Sequence, residues 1–326
     1  MTPARPALDP ELRELLAGMP LMSQLDPKVL AHLRRLPSTP VDSLLAHRRA
    51  DRREVTVPAT DGAPIPLSIF TPENATAAPC VYWMHGGGMV MGDRFSQIDI
   101  PLEWLDRFGA VVVSVEYRLA PEATGTALVD DCYQGLLWVA EHAAELGVDP
   151  ARIVVAGASA GGGLAAGVAL LARDRGTLPM DPPIAAQMLI CPMLDHRNTS
   201  TSSRQFSGGP GVWTREMNEF GWSSVLGGLT GDEVPPYVSP ALADDLSGLP
   251  ATYIDTGSAE VFRDEDADYA TRIWAAGGQA ELHVWAGGFH GFDALYPQAR
   301  ISATARRTRT EWLARVLRAD RPAEES

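Results

Sequence analysis

The segment RIVVAGASAGGG, residues 152–163, constrains the fold more than any other part of the chain. Residues 153–156 form an apolar run of buried-strand length. Residues 160–173 then place Leu164, Val168 and Leu171 at the i, i+4, i+7 spacing of a helix packed on one face. Ser159 therefore sits at a strand-to-helix corner, inside the G-x-S-x-G pattern Gly157-Ala158-Ser159-Ala160-Gly161. A serine there is held on a tight, strained turn and stands proud of the sheet, and the flanking glycines leave the space a β-carbon would fill. The helix starts just behind it, so the Ala160 N–H is aimed at any negative charge developing on a bound molecule. Alone, the pattern is weak in a chain with 30 glycines. It needs support from the rest of the sequence.

The 326 residues are 45% hydrophobic and 21% charged, enough for a large core in one α/β unit with insertions. A formal net charge of −14 argues against a nucleic-acid or anionic-membrane partner, either of which calls for a basic face. Cys80, Cys132 and Cys191 show no C-x-x-C spacing, and any pairing leaves one over. Two of them lie in apolar, strand-like surroundings, which suits a reducing cytoplasm. The first twenty residues carry charges throughout and lack the apolar region of a secretory signal. No 18-residue apolar run predicts a membrane span.

Residues 1–48 read as a separate helical segment. Asp9-Pro10 and Asp26-Pro27 each put a capping acid before a proline at the first helical position. Leu12, Leu15 and Leu16, then Val29, Leu30, Leu33 and Leu36, give apolar stripes that need a partner surface. They fit either a packing appendage or the roof of a pocket. A core expected over 49–191 then begins with strands at 54–57 and 65–70 about an Asp61-Gly62 turn. Further strands are expected at 80–84, 110–115, 185–190, 251–255 and 280–285. Helices are expected at 98–108, 127–146, 263–276 and 298–317. Residues 192–236 break this alternation with Phe206, Trp213, Met217, Phe220 and Trp222, and read as an inserted cap segment containing a helix at 214–226. The core resumes over 237–326, and residues 321–326 read as frayed. Strands alternating with helices after a hairpin imply a mostly parallel sheet covered on both faces.

His85-Gly86-Gly87-Gly88 directly follows the 80–84 strand. Three glycines there let backbone N–H groups turn toward a ligand, as in an oxyanion hole completed by Ala160. His85 reads as structural. A general base is expected after the last strand, where glycines flank His290 in Gly287-Gly288-Phe289-His290-Gly291. His283 lies inside a strand, and His32, His47, His142 and His196 have no comparable setting. The acid should follow the 251–255 strand. Asp255 belongs to the strand end, and Asp264, Glu265 and Asp266 fit the first turn of a helix. Glu260 lies between them and is favoured, with Asp264 the alternative. The order Ser, acid, His is that of α/β-hydrolases.

Taken together, HGGG at His85, YRLAPE at Tyr117, GASAG at Gly157, CPMLD at Cys191, SAEVFRDED at Ser258 and GGFHGF at Gly287 resemble the hormone-sensitive lipase family of microbial esterases. The resemblance runs in order over residues 50–318. It implies an α/β-hydrolase fold with a helical cap, and a serine carboxylesterase acting on short or medium acyl esters without metal or organic cofactor. By resemblance, Ser159, Glu260 and His290 take the triad positions and Gly87, Gly88 and Ala160 the oxyanion hole. The family usually has Asp where this chain has Ala158, and Asp at the triad acid. Glutamate is one methylene longer but accepts the same imidazole N–H. Tyr117, Arg118 and Asp131 are assigned to structure. The resemblance also implies a homodimer paired through the last strand and helix.

Met89, Phe206, Trp213, Phe220 and Trp222 are candidates to line an apolar substrate pocket, with ordinary cap packing as the alternative. An amide, carbamate or lactone substrate is compatible with the same residues. So is a non-catalytic binding role, known among relatives that lack the histidine, although His290 is present here.

Overall fold

The computed structural model describes residues 3–179 and 184–319, so the fraying expected at 321–326 lies outside the described residues. Helices α1 (Pro10–Leu16) and α2 (Pro27–Leu33) start at the two Asp-Pro pairs. The Asp9 carboxylate accepts from the Glu11 and Leu12 N–H groups at 2.9 and 3.2 Å, and Asp26 does the same for Lys28 and Val29 at 2.7 and 2.8 Å. A third short helix, α3 (Val41–Leu45), lies within the 1–48 segment read as helical, although no Asp-Pro pair marks its start.

There follow β1 (Ala50–Pro58), β2 (Pro64–Pro72), β3 (Ala78–Met84), α4 (Asp99–Phe108), β4 (Val111–Val115), α5 (Ala127–Glu141), β5 (Val148–Ala158) and α6 (Ala160–Arg175). The remainder comprises β6 (Ala186–Ile190), α7 (Thr201–Gln205), α8 (Arg215–Leu226), β7 (Ala251–Gly257), α9 (Arg263–Ala275), β8 (Ala280–Trp285), α10 (Phe292–Leu295) and α11 (Arg300–Ala319). Helix α5 stops at Glu141 rather than at residue 146. The His142 ring bonds the Trp138 carbonyl at 2.8 Å, and the chain continues as turns to Gly147. Helix α6 is enclosed on all sides from Ala160 to Ala172, not on one face alone, because small residues let its neighbours close in around it.

Among the described residues the strands form one eight-stranded sheet in the order β1-β2-β4-β3-β5-β6-β7-β8. Strand β2 is antiparallel to β1 and β4, and the other pairs are parallel. The central strands are apolar along their length because both faces are covered. Val81, Val112, Val154, Met188 and Tyr253 meet Trp104 and Trp312 on one side. Tyr82, Val113, Val155, Leu189 and Ile254 meet the buried side chains of α5, α6 and α9 on the other.

The parallel register puts four loops at one edge. Met84 neighbours Gly157, Ala158 neighbours Ile190, Ile190 neighbours Asp255, and Gly257 neighbours Trp285. The chain therefore leaves β3, β5, β7 and β8 at the same edge, toward residues 85–88, Ser159, Glu260 and His290. Residues 3–25 and the 201–226 region meet above this edge, through a bridge between Met22 and Gly211 and a Thr214 hydroxyl donating to the Ser23 carbonyl at 2.8 Å. No described helix is long and apolar enough to cross a membrane.

Arg309 on α11 fastens the far side of this edge. It is buried, donates to Asp255 on β7 at 2.8 Å and pairs with Asp293 on α10. Burial opposes ionisation of Asp293, yet the Arg309 charge and hydrogen bond hold its carboxyl below the usual carboxylate range. Removing one partner of a buried ion pair strands the other, at a cost of about 3–5 kcal/mol. Arg309→Met is expected to lower the unfolding free energy by about that amount in urea titrations. A variant as stable as the parent would show that the network contributes nothing net.

Candidate active site

Ser159 occupies a turn that few residues tolerate, with φ 56° and ψ −119° between β5 and α6. The backbone is pinned there: its N–H donates to the Ile190 carbonyl at 2.7 Å, and its carbonyl accepts from Gly163 and Met193 N–H at 3.0 Å each. Glycines are required on both sides. A β-carbon at Gly161 would lie 2.0 Å from the Met84 carbonyl oxygen, and one at Gly157 would lie 2.3 Å from that of Gly161.

The His290 Nε2 lies 2.9 Å from the Ser159 hydroxyl oxygen, and its Nδ1 lies 2.7 Å from Glu260 Oε2. Glu260 is 1% exposed and His290 8%. The second carboxylate oxygen of Glu260 accepts from the Thr256 hydroxyl at 2.5 Å and the Gly257 N–H at 3.2 Å. Sequence reasoning missed Thr256, which fixes the carboxylate so that Oε2 faces the ring. Serine, imidazole and carboxylate thus form one hydrogen-bonded line, able to pass a proton from hydroxyl to ring.

The other acids are committed elsewhere. Asp264 accepts from the Ser202 N–H at 2.7 Å and pairs with Arg263 at 2.7 Å, so the alternative acid does not face His290. Glu265 accepts from the Leu194 and Asp195 N–H groups at 2.8 and 3.1 Å. Asp266 is fully buried and neither of its oxygens has a hydrogen-bond partner among the described residues. Burial, followed by the nearby Glu260 charge, pushes its carboxyl well above the usual range. His283 is held in β8 by Glu281 at 3.0 Å.

On the opposite wall lies the loop after β3. The Gly86 N–H donates to the Gln97 side chain at 2.9 Å. Gly87 (φ 127°) and Gly88 (φ 61°) turn the loop, and their N–H groups donate no hydrogen bond among the described residues. His85 is buried and stacks on Tyr117 at 4.3 Å between ring centroids, and the Tyr117 hydroxyl donates to the His85 carbonyl at 2.7 Å. Burial keeps its imidazole below the usual range and hence neutral. Arg118 pairs with buried Asp131 at 2.7 Å.

A sequence profile for a family described as alpha/beta hydrolase fold matches residues 81–294. The chain is 36% identical to Carboxylesterase NlhH of Mycobacterium tuberculosis over 94% of its own length and 95% of the relative's. It is 32% identical to Esterase LipI of the same organism over 90% and 92%. The solved structure of a bacterial heroin esterase superposes with a TM-score of 0.86 at 37% identity, covering 96% of this chain and 98% of that one. The chain belongs to the hormone-sensitive-lipase-like carboxylesterases of the α/β-hydrolase superfamily. It is a carboxylic ester hydrolase.

Two cavities of about 230 Å³ each open at the esterase's site, on either side of Val212 and Trp213. The first holds Ser159 and His290 with Gly86, Gly87 and Gly88, and is closed by Ile100, Cys191 and Leu295. Ala158, where the family usually has an acid, adds to its apolar wall. The second runs from His290 and Glu260 past Phe206 and Phe289 to Leu8, Leu16 and Leu21. Three expected lining residues are corrected. Met89 is buried and turned toward Gly163 of α6, and Trp222 is buried against His196. Phe220 packs half-buried on the core, because α8 turns Gly221 rather than its aromatic neighbours toward Gly88. Cys191, Gly291, Asp293, Ala294 and Leu295 were missed as lining, although each lies in or just after a motif or strand already singled out.

The esterase leaves no room at Gly88. A β-carbon there would lie 2.3 Å from the Trp213 ring, at a φ that strains any side chain. Gly88→Ala is expected to lower kcat/KM by roughly 100-fold or more through displacement of the loop's N–H groups. Adding Trp213→Ala removes the clash and is expected to recover part of the loss. Wild-type kcat/KM in the single variant would refute the crowding.

Proposed function

We propose that the esterase works by two-step acyl transfer with Ser159 as nucleophile, His290 as general base and acid, and Glu260 as the group that orients the ring. The reading is carried by the continuous hydrogen bonding from Ser159 through His290 to Glu260. His290 Nε2 takes the hydroxyl proton as Ser159 Oγ attacks the ester carbonyl. The N–H groups of Gly87, Gly88 and Ala160 receive the oxyanion. On collapse, His290 returns the proton to the leaving alcohol, and a water repeats the attack on the acyl-enzyme with His290 again as base. Glu260 holds the tautomer that leaves Nε2 free to accept, and stabilises the imidazolium once it forms.

The cavity size supports short or medium acyl chains. At about 230 Å³, the space holding Ser159 is smaller than the 300–1,000 Å³ typical of drug-sized ligand pockets. Trp213 is the partition between the two cavities, so it is the residue expected to set chain-length preference. The cap in this reading comprises residues 1–48 and 192–236. A cytoplasmic setting suits the three free, buried cysteines. A homodimer suits β8, the edge strand of the sheet, where Val284 is 45% exposed.

Hydrolysis of p-nitrophenyl esters from C2 to C12 tests this. Turnover is expected to peak at short chains and to vanish in Ser159→Ala. Glu260→Gln is expected to lower kcat by up to about 10⁴-fold with little change in KM, as loss of the correct tautomer does in serine hydrolases. Full activity in either variant would remove that residue from its role. Trp213→Ala is expected to move the optimum to longer chains, and an unchanged profile would end its part in selectivity.

A further inference from the structure

Cys191 takes no part in the hydrolysis described above, yet it stands against the two residues that drive it. One donor atom each from Cys191, Glu260 and His290 lies within 4.8 Å of the other two, and all three residues are buried. We propose that these residues form a binding site for a thiophilic divalent cation, Zn²⁺ foremost, and that its occupation switches the esterase off.

The donor set has the right chemistry. Thiolate, imidazole and carboxylate are all zinc ligands, and three protein ligands plus one open position is a coordination zinc commonly adopts. Bond lengths of roughly 2.0–2.3 Å put tetrahedral donors about 3.3–3.8 Å apart, so small side-chain shifts suffice. Charge balances too. A thiolate and a carboxylate neutralise the ion, leaving no net charge buried, and the thiol proton leaves to solvent on binding.

The donors are held in place before any ion arrives. Cys191 directly follows β6, with its N–H donating to the Asp255 carbonyl at 2.6 Å, and Pro192 comes next. Glu260 is anchored through Oε1 by Thr256 and Gly257, which leaves Oε2 turned to the site. An ion can reach them, because Cys191 and His290 both line the cavity that holds Ser159. Once bound, it takes a ring nitrogen of His290 and an oxygen of Glu260, and the bond between them is lost. The inhibitory half of the proposal rests on the triad reading; the binding half does not.

The test is titration of chelator-stripped, full-length protein with Zn²⁺ followed by calorimetry and activity, and with Co²⁺ followed by its thiolate charge-transfer absorption. Wild type is expected to bind one equivalent, to show the cobalt–thiolate band, and to lose activity in step with occupancy, with chelator restoring it. Cys191→Ala, and Cys191→Ser as the isosteric second variant, are expected to lack the band. Each should need at least about ten-fold more Zn²⁺ to halve its own zinc-free activity. Ser159→Ala is expected to bind metal like wild type while lacking turnover. Absence of the cobalt band in wild type, or equal zinc sensitivity in wild type and both Cys191 variants, would overturn the site. Turnover by Ser159→Ala would instead overturn the triad reading and leave the binding result standing.

Discussion

The end of β3 and the first turn of α6 touch backbone to backbone, and the site depends on that contact. A single methyl group at Gly161 would meet the Met84 carbonyl at 2.0 Å, so the two segments could not lie where they do with any other residue. Their closeness brings the 85–88 loop and the Ser159 turn to one wall of one cavity. A non-glycine residue at positive φ costs on the order of 1–3 kcal/mol. Three backbone hydrogen bonds at Ser159, of 2.7, 3.0 and 3.0 Å, offset that cost. The strain faces the serine away from its own helix, which it does not cap.

The acid and base loops are joined just as directly, on the other side of the serine. A β-carbon at Gly257 would lie 2.1 Å from the Gly288 carbonyl oxygen. The Ser258 N–H donates to Trp285, the Ala259 N–H to Gly288, and the Gly287 N–H to the Ser258 hydroxyl, at 2.8, 2.9 and 2.8 Å. Glu260 and His290 therefore ride on one knitted piece of backbone. The distance between carboxylate and ring is set by main-chain bonds rather than by two independent side chains. Among four neighbouring buried acids, each is handled differently. Asp255 is met by Arg309 and the Trp285 ring N–H, Glu265 by two backbone N–H groups, while burial works against ionisation of Asp266. Glu260 alone has an oxygen directed at the imidazole.

Much of this was legible in the sequence, for identifiable reasons. Strands buried on both faces are written as apolar runs, so AVVVSV and RIVVAG announced themselves. Parallel topology then forced the loops after those strands to one edge, which singled out His290 over His283 without any coordinates. The choice between Glu260 and Asp264 was not decidable that way. What removes Asp264 is a hydrogen bond from Ser202, 62 residues away, and an arginine next to it. Nor was side-chain direction legible. Met89, Phe220 and Trp222 are apolar residues close in sequence to the site, but the local turn of the chain points them into the core. Arg309 gave no signal either, since its partners Asp255 and Asp293 lie on other elements.

The N-terminal stripes, which sequence left as either appendage or roof, resolve through the same knitted loops. The Asp9 N–H donates to the Gly287 carbonyl at 3.0 Å, and Leu12 packs into a cluster with Phe289 and Phe292 on either side of His290. Leu8, Leu16 and Leu21 form one wall of the second cavity, opposite Phe206. Leu15 on the same helix is 40% exposed, so the stripe is narrower than its sequence. The segment that bounds this cavity also braces the base loop. A change in how residues 3–25 sit alters the shape of the cavity and the backbone carrying His290 together, because one set of contacts serves both.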